Sequence, residues 1–374
     1  MKSTLHSVAL AAIILSIFGF ATLLDAYGPL GHEIVGGIAD ERLANTPAAT
    51  KLYRMLDGLT LEKAAVIADE IKGWDQNGAD DPRSFRYAGH PKIDEQLRDF
   101  WRANPPKHDL RSGAPSHHWF HYADVPVVPA QKYAEGRVGR SKWDIVHMIP
   151  YCLQVLQGTM PEQNERKVTK PIAIILLAHL VADIHQPLHA GAQYFDARGH
   201  PADPAKNRSA LADEGGNTFT LQLSDEPADS RGTERKNLHG FWDYDAVNAL
   251  LPELPITWTN DQLGTAIEPL KKRLAHEMAT REPENWQMPA NMDIKNYAEA
   301  WADEILPIAR AAHERLQFTD VHPEEDKGRI VASGVAKEMP QPDHISYRQW
   351  VANVVREELH KAGWRLADLL EKIL

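Results

Sequence analysis

Apolar residues recur at spacings of three and four along much of the chain, which is the period that makes one face of an α-helix apolar. The alternation typical of a strand is clearest at 218–223 and predicts one small hairpin at most. We therefore predict an all-α fold, a single compact and mainly helical domain. The stretches with the helical period are 34–56, 61–71, 143–156, 172–184, 297–316 and 350–374.

Polar segments rich in Gly, Pro and charged residues separate some of these stretches. We interpret them as long surface loops or insertions and not as domain linkers. One domain is favoured because candidate ligands are spread from residue 27 to 243, and because the last helix has an apolar stripe that needs covering. The predicted loops are 76–116, 195–213, 224–236 and 319–346.

Residues 1–26 differ from the rest of the chain, since Lys2 precedes an apolar run at 8–20 and the small residue Ala26 precedes Tyr27. This arrangement is typical of a secretory signal peptide that is cleaved before Tyr27. An uncleaved signal anchor is the alternative, although the run is short for a membrane span. We expect a secreted or periplasmic protein whose functional domain is 27–374.

Composition and charge narrow the class of protein. With 43% hydrophobic and 25% charged residues, the chain is not disordered, collagen-like or a multi-span membrane protein. The net charge of −11 gives no protein-wide positive field, so a nucleic-acid ligand would need positive charge concentrated locally. Because Cys152 is the one cysteine, no intramolecular disulfide can form, and packing or metal must stabilise the fold.

Two His-x-x-x-Asp pairs are the most informative local pattern. His179 and Asp183 lie four residues apart, so a helix places both side chains on one face. His239 and Asp243 repeat this spacing, and His189 follows the first pair after a proline. Neutral imidazole and carboxylate are ligands that Zn²⁺ accepts, so the pattern indicates a metal site.

The alternative is that His179 is a buried core histidine paired with Asp183. The sequence around them is strongly apolar, and burying an aspartate there is unfavourable unless it is paired or binds a cation. This consideration favours metal binding. Other candidates, namely His32, Asp69 and His121, are individually more typical of structural or surface positions.

These residues and their neighbours resemble a known family, the zinc-dependent, single-strand-specific nucleases with 3'-nucleotidase activity. Members share their mainly helical fold with zinc-dependent phospholipase C. The resemblance covers nearly all of 27–374, with its motifs in family order. The motifs are Tyr27-Gly-Pro-Leu-Gly-His32, Ala68-Asp69-Glu70, His121-Tyr122-Ala123-Asp124, residues 179–189 with Gln186-Pro187-Leu188, Gly215-Gly216-Asn217, Asn237-Leu238-His239, Trp242-Asp243 and Ala362-Gly363-Trp364-Arg365-Leu366-Ala367.

The resemblance implies three Zn²⁺ ions held by histidines, aspartates and the first residue of the mature chain. The implied ligands are Asp69, His121, His179 and Asp183 for one ion; His189, His239 and Asp243 for a second; and His32, a bridging Asp183 and the α-amino nitrogen and carbonyl oxygen of Tyr27 for the third. The family usually has Trp where this chain has Tyr27. Because backbone atoms would bind the metal, coordination stays feasible with Tyr.

The resemblance also implies roles for residues near the metals. Asp69 and Lys72 would act in catalysis, with Lys72 stabilising the charged phosphoryl group. Tyr122 would stack on the base, while Asp124 and Asn217 would contact it. Considered alone, Lys72 is more typical of a solvated helix position, and Tyr122 fits a core position equally well.

The implied reaction is attack of a zinc-activated hydroxide on phosphorus in single-stranded DNA and RNA, with 5'-phosphate products and with 3'-nucleotides as further substrates. No stable protein partner is implied, and we expect a monomer. A zinc-dependent phospholipase C-type phosphodiesterase is one alternative, although it would be expected to have Glu in place of Asp243. A noncatalytic zinc-stabilised protein is another. We leave His117, His118 and His185 out of the metal set.

Overall fold

The computed structural model describes residues 27–223, 236–252, 260–324, 327–337 and 344–374. The helices in these ranges are α1 Gly28–Leu43, α2 Pro47–Met55, α3 Leu61–Ala64, α4 Ile67–Glu70, α5 Pro91–Ala103, α6 Ile145–Gln157, α7 Lys170–Asp183, α8 Leu238–Gly240, α9 Ala246–Asn248, α10 Asn260–Thr280, α11 Tyr297–Glu314 and α12 Tyr347–Ile373. The strands are β1 Val125–Pro126, β2 Gly191–Ala192, β3 Tyr194–Phe195, β4 Leu211–Ala212, β5 Phe219–Gln222, β6 Lys236–Asn237, β7 Leu316–Glu324 and β8 Arg329–Ala336. Short 3₁₀ helices lie at Ile71–Trp74, His117–His121, Tyr133–Glu135, Pro187–His189 and Ile294–Asn296, and a π-helical turn at Phe241–Asp245. The predicted mainly helical fold is confirmed.

Helix α7 is buried on all sides. Thr169 caps its first turn by accepting a hydrogen bond from the Ile172 backbone N–H, and every residue from Ile172 to Asp183 is buried. A helix that is apolar all round belongs in a core, and α7 packs against α1, α5, α6 and α12. Its last turn therefore carries His179 and Asp183 into the interior.

Each predicted helical stretch contains helix, but two of them are divided. Residues 34–56 form α1 and α2, because Asn45 adopts a left-handed φ of 66° and Thr46 accepts a hydrogen bond from the backbone N–H of Ala49. Residues 61–71 form α3, α4 and the start of a 3₁₀ turn. The left-handed residue thus separates α1 from α2, and the Thr46 side chain caps the start of the second helix.

The interpretation of 76–116 as a surface loop is wrong for its middle, which forms α5. Ile93, Leu97 and Phe100 are buried at helical spacing, and Pro91 occupies the first turn, where its missing N–H is tolerated. Gly, Pro and charged residues on both sides obscure this period in the sequence. Helix α10 was likewise not predicted.

The sheet is larger than the small hairpin that the sequence predicts. Strand β5 coincides with the alternation at 218–223, but the four-stranded sheet has the order β6-β5-β8-β7, with β5 and β8 parallel. Because β7 and β8 occupy much of 319–346, the loop prediction for that segment is also wrong. A Cβ atom at Gly334 of β8 would lie 2.6 Å from the ring of Phe219, so glycine allows these strands to pack closely.

Residues 1–26 and most of 224–236 lie outside the described residues, so the signal peptide stays a prediction. Within the described ranges, no helix combines the length and apolarity that crossing a bilayer requires. One large cluster of buried apolar side chains includes residues of α1, α7, α11 and α12. The candidate ligands are inserted into this cluster from several elements.

Candidate metal centre

The nine predicted metal ligands are all buried, and none is more than 6% exposed. Eight of them form three groups, in each of which the ligand atoms lie within 4.8 Å of one another. We name each group after its aspartate. They are the Asp69 group (His32, Asp69, His179), the Asp183 group (His121, His179, Asp183) and the Asp243 group (His189, His239, Asp243).

The Asp183 group joins helix α7 to the 3₁₀ helix that ends at His121. His179 and Asp183 are one helical turn apart, with 3.1 Å between His179 Nε2 and Asp183 Oδ2. His121 Nδ1 lies 3.1 Å from the same carboxylate oxygen and 2.9 Å from His179 Nε2. Ligand atoms from two elements thus converge in the core.

The Asp69 group adds ligands from α1 and α4. The His32 ring stacks on the His179 ring, with 3.9 Å between their centroids, and His32 Nε2 lies 3.2 Å from Asp183 Oδ1. Asp69 Oδ1 lies 3.5 Å from His179 Nε2. Asp183 therefore presents one oxygen to His32 and the other to the Asp183 group, which is the geometry that a bridging carboxylate needs.

The Asp243 group lies where α8 passes into the π-helical turn. His239 Nε2 is 3.2 Å from Asp243 Oδ2 and 3.0 Å from His189 Nε2. The backbone N–H of Tyr27 donates to Asp243 Oδ1 over 3.1 Å, whereas the Tyr27 carbonyl oxygen accepts a hydrogen bond from Gly31 N–H at the start of α1. The structure thus places the Tyr27 nitrogen next to a carboxylate of the metal groups.

Backbone carbonyl oxygens fix the tautomers of three histidines. Since a carbonyl oxygen can only accept, each contacting Nδ1 carries the proton, and Nε2 of the neutral ring keeps a bare lone pair. Two such lone pairs 3.0 Å apart, as in the Asp243 group, repel unless a cation lies between them. The contacts are His179 Nδ1 to Ala65 O at 2.6 Å, His189 Nδ1 to His121 O at 2.7 Å and His239 Nδ1 to Gly215 O at 2.8 Å.

Several polar atoms of these groups are buried with no hydrogen-bond partner among the described residues. They are both ring nitrogens of His32, Oδ1 of Asp183 and Oδ2 of Asp243. Leaving such atoms unpaired is costly, at roughly 1–3 kcal/mol each. Cations would satisfy them, and imidazole nitrogens with carboxylate oxygens are a donor set that suits zinc. The residues therefore fit a metal centre.

The metal-free groups also attract positive charge. Burial alone would lower the pKa of His179, but the Asp183 and Asp69 carboxylates raise that pKa to about 9. Burial raises the pKa of Asp243 to about 7. Lys72 Nζ lies 2.5 Å from Asp69 Oδ1, and this ammonium holds the pKa of Asp69 below its usual range although burial opposes the shift.

A cleft of about 360 Å³ opens onto the metal groups. The predicted catalytic residue Lys72 and the predicted substrate residues line it together with His118 and Glu214, which the sequence did not predict. A larger cleft of about 540 Å³ beside α11 contains no residue of the three groups. The complete lining of the smaller cleft is Lys72, His118, His121, Tyr122, Asp124, Leu188, His189, Glu214, Asn217 and His239.

Comparison with known proteins adds a family to this geometry. Residues 27–374 match the S1/P1 Nuclease family. This chain belongs to that family. Endonuclease 2 of Arabidopsis thaliana is 23% identical over 287 residues, which cover 74% of this chain and 73% of the relative. Endonuclease 4 of the same plant is 32% identical over 134 residues, which cover 36% of this chain and 34% of the relative.

Family membership confirms the resemblance found in the sequence. As a member of this family, the protein is a hydrolase that acts on phosphodiester bonds, and its substrates are nucleic acids. S1/P1 nucleases depend on metal, and the three buried His/Asp groups are the candidate metal sites of this one.

A tightly held loop supports the cleft of this S1/P1 nuclease. Asp213 anchors the loop, because its Oδ1 accepts from Gln193 N–H at 3.0 Å and its Oδ2 lies 2.8 Å from His313 Nε2. Gly215 has a φ of 61°, and a Cβ atom there would lie 2.3 Å from the Leu188 carbonyl oxygen. The motif at 215–217 thus needs glycine for the backbone to reach His239.

The three histidines left out of the metal set belong to no group with the predicted ligands. His185 is buried, with Nδ1 2.7 Å from Val181 O and with Arg365, from the motif at 362–367, donating to its Nε2 over 2.8 Å. His117 and His118 both contact Asp75 and form a fourth group with it. Because Asp75 is 42 residues before His117, no local spacing could have indicated this group.

Proposed function

We propose that this S1/P1 nuclease is an extracytoplasmic zinc-dependent endonuclease. It cleaves single-stranded DNA and RNA to 5'-phosphate products and also hydrolyses 3'-nucleotides. One observation carries the proposal. Bare histidine nitrogens face each other beside unpartnered carboxylate oxygens, and the cleft above them is lined by residue types that bind phosphates and bases.

Three zinc ions are proposed, held by the predicted ligand sets with Asp183 shared between two of them. When bound, zinc supplies a Lewis acid that activates water and neutralises charge on phosphate oxygens. The protein's contribution is to fix the donors beforehand. The carbonyl oxygens behind His179, His189 and His239 hold each ring in the orientation and tautomer that metal binding requires.

Lys72 is proposed to stabilise the charged phosphoryl group. It follows α4 in the 3₁₀ turn, and its contact with Asp69 holds the ammonium between the metal groups and the cleft. A fixed cation at the place where negative charge develops stabilises a transition state more than a mobile one does. Asp69 would thus serve both as a metal ligand and as the residue that positions Lys72.

Tyr122, Asp124 and Asn217 are proposed to bind the base. Stacking on an aromatic ring contributes about 1–3 kcal/mol and tolerates any base. Burial raises the pKa of Asp124 to about 7, with the Asp213 and Glu214 carboxylates adding to the effect. Near neutral pH the Asp124 carboxyl group can therefore donate a hydrogen bond as well as accept one.

The proposed preference for single strands follows from the depth of the site. Because the ligands are at most 6% exposed, a phosphate must enter the cleft together with its nucleotide. A single strand can splay a base out, whereas stacking and pairing resist this movement in a duplex.

Export and cleavage before Tyr27 are part of the proposal. The Tyr27 nitrogen lies 3.1 Å from Asp243 Oδ1, so cleavage there would create a free amine beside the metal groups. The unperturbed pKa of an α-amine, roughly 7.7–8.0, allows a metal to displace its proton near neutral pH.

The test is hydrolysis by mature protein that begins at Tyr27, before chelation, after chelation and after zinc is returned. We expect zinc-dependent cleavage of single-stranded DNA and RNA with 5'-phosphate ends, and release of phosphate from 3'-nucleotides. A duplex of the same sequence serves as the matched control and should be cut far more slowly. A protein that carries three zinc ions but cleaves neither polymer would contradict the proposal, and phosphatidylcholine would be the next substrate.

A further inference from the structure

The Asp75 group, which consists of Asp75, His117 and His118, has no part in the proposed function. It nevertheless reaches the site, because His118 lines the same cleft as Lys72 and Tyr122. The His117 side chain is 2% exposed and the His118 side chain 40% exposed. Two histidines and a carboxylate can hold a metal or form a hydrogen-bonded cluster, and their contacts distinguish these possibilities.

Hydrogen bonds satisfy the Asp75 carboxylate without a metal. Its Oδ1 accepts from Trp101 Nε1 at 2.8 Å and from His117 Nε2 at 3.1 Å, and its Oδ2 accepts from His118 Nε2 at 2.7 Å. Both oxygens are thus paired, whereas Asp183 and Asp243 each have one oxygen without a hydrogen-bond partner among the described residues. The two rings lie 4.6 Å apart between centroids, but no described hydrogen-bond contact joins a nitrogen of one ring to a nitrogen of the other. In the group, only Nδ1 of His117 is buried without a described partner.

The contacts hold the His118 ring in one orientation. Asp75 accepts from Nε2, so Nδ1 lies at the opposite edge of a side chain that is 40% exposed. Among the described residues, no hydrogen bond engages this Nδ1. Trp101 belongs to α5, so the insertion at 76–116 supplies one of the groups that hold Asp75 in place.

Charge divides the cleft into two parts. Outside the three metal groups, the lining residues able to offer a nitrogen and positive charge to an anion are Lys72 and His118, whereas Asp124 and Glu214 are acidic. Asp75, which contacts both histidines, lies three residues after Lys72, and its backbone N–H donates to the Lys72 carbonyl oxygen over 3.0 Å, so the Lys72 backbone lies next to the residue that holds the histidine pair. The acidic residues suit a base, and the part with Lys72 and His118 suits phosphate.

We propose that His118 binds a second phosphate of the strand, the phosphodiester next to the one being cleaved, and that Asp75 and Trp101 position it. Because its Nε2–H donates to Asp75, the ring binds this phosphate in the imidazolium form, in which Nδ1 also carries a proton that a phosphate oxygen can accept. The proposal rests on the proposed function. A polynucleotide offers this additional phosphate, whereas a 3'-nucleotide has only the phosphate that is removed. His118 is therefore a specificity-determining residue that favours polymers over mononucleotides.

The test compares His118→Ala, His118→Arg and Asp75→Asn with the zinc-loaded wild-type enzyme. His147→Ala is a matched control, because His147 is also a partly exposed histidine held by an aspartate, Asp144, but lies outside the cleft. The measurements are KM and kcat for single-stranded DNA and for a 3'-nucleotide. Binding of a hydrolysis-resistant phosphorothioate oligonucleotide is followed by fluorescence anisotropy at several salt concentrations.

We expect His118→Ala to raise KM for single-stranded DNA about tenfold, the effect of losing one charge-assisted contact. Hydrolysis of the 3'-nucleotide should change less than about twofold. The slope of log binding constant against log salt should fall by about 0.7, the value for one phosphate contact on a single strand. His118→Arg should restore both the KM and the slope, Asp75→Asn should have a smaller effect in the same direction, and His147→Ala should resemble wild type.

Equal losses on both substrates would overturn the proposal, because His118 would then act at the cleaved phosphate. So would the loss of one zinc ion per chain in His118→Ala, or a salt slope that does not change. Failure of the proposed function looks different. The wild-type enzyme would then cleave neither substrate, while oligonucleotide binding would still depend on His118.

Discussion

Buried histidines and aspartates occur both in the Asp243 group and in the Asp213–His313 pair, but their polar atoms are used differently. In the pair, His313 Nδ1 contacts Ala309 O at 2.9 Å, His313 Nε2 contacts Asp213 Oδ2 at 2.8 Å, and Asp213 Oδ1 accepts from Gln193 N–H. In the Asp243 group, bare nitrogens lie 3.0 Å apart, and Asp243 Oδ2 has no hydrogen-bond partner among the described residues.

The difference shows that burial and residue type alone do not identify a metal site. A buried polar group whose donors and acceptors pair with one another stabilises the fold by itself. A group whose lone pairs face one another is stable only when something positive completes it. By this criterion the Asp75 group resembles the Asp213–His313 pair and not the metal groups.

The largest effect is expected from a substitution in the metal groups, and it distinguishes them from the Asp213–His313 pair. Asp183→Asn keeps the shape of the side chain but removes the charge that two metal groups share. Changing a residue that only supports a metal ligand typically lowers metal affinity or activity 10–100-fold. Because Asp183 is itself a proposed ligand, we expect kcat/KM to fall more than about a hundredfold and zinc content to fall as well. Zinc is measured by elemental mass spectrometry on the same samples as the kinetics.

Asp213→Asn is the matched control for Asp183→Asn, since it changes an equally buried aspartate of the satisfied pair. It should retain all its zinc while losing thermal stability. If Asp213→Asn lost zinc as readily as Asp183→Asn, the distinction between completed and incomplete groups would be wrong.

A smaller effect is expected at the edge of the metal centre. Lys72→Met removes the ammonium beside Asp69 but no metal ligand, so kcat should fall about ten- to a hundredfold with unchanged zinc. Lys63→Met, which removes an exposed lysine paired with Glu33, controls for the general loss of a cation. A normal kcat in Lys72→Met would exclude a role at the phosphoryl group.

A substitution in the part of the cleft proposed to bind the base should weaken substrate binding and so raise KM. Tyr122→Leu preserves apolar volume but removes the stacking ring, and loss of about 1–2 kcal/mol would raise KM about five- to thirtyfold. Both polymers and 3'-nucleotides should be affected, unlike in His118→Ala. An effect on kcat alone would indicate that Tyr122 does not contact the base.

The smallest effect concerns the pH dependence of the satisfied pair. Burial alone would lower the pKa of His313, but the Asp213 carboxylate beside the ring raises this pKa above its usual value. Because the pKa is raised in the folded protein, the contribution of His313 to folding stability is complete below its pKa in the unfolded chain, about 6.5. This contribution is lost as the pH rises through the pKa in the folded protein. The difference in melting temperature between zinc-saturated wild type and His313→Gln should therefore shrink from pH 6 to pH 9. A difference that grows with pH would contradict this sign.

Local periodicity accounts for what the sequence predicts well. Helix α7 is apolar on every side, and the spacing of His179 and Asp183 within it is itself a helical signal. Strands β7 and β8 pair locally as an antiparallel hairpin, but a register shift between Phe318 and Asp320 interrupts the regular alternation of β7. The pairing of β8 with β5, about a hundred residues earlier in the chain, leaves no local signal in the sequence. Helix α5 is obscured by the Gly, Pro and charged residues around it.

In the candidate site too, residues within local motifs are predicted from the sequence, whereas pairs that are distant in the chain are not. Candidate ligands in recognisable motifs, such as His121 and His239, are indicated by the sequence, and the structure places them in buried His/Asp groups. Asp75 with His118, and Asp213 with His313, are separated by 43 and 100 residues and meet only in the folded chain. Whether a histidine nitrogen faces a proton donor or another lone pair is likewise a property of three-dimensional packing.

The most direct test of the distinction between completed and incomplete groups is anomalous X-ray diffraction at the zinc edge from crystals of zinc-loaded mature protein. We predict three anomalous peaks, which lie among the ligands of the Asp69, Asp183 and Asp243 groups, and none at Asp75 or at the Asp213–His313 pair. A peak between Asp75, His117 and His118, or the absence of a peak between His189 and His239, would contradict it.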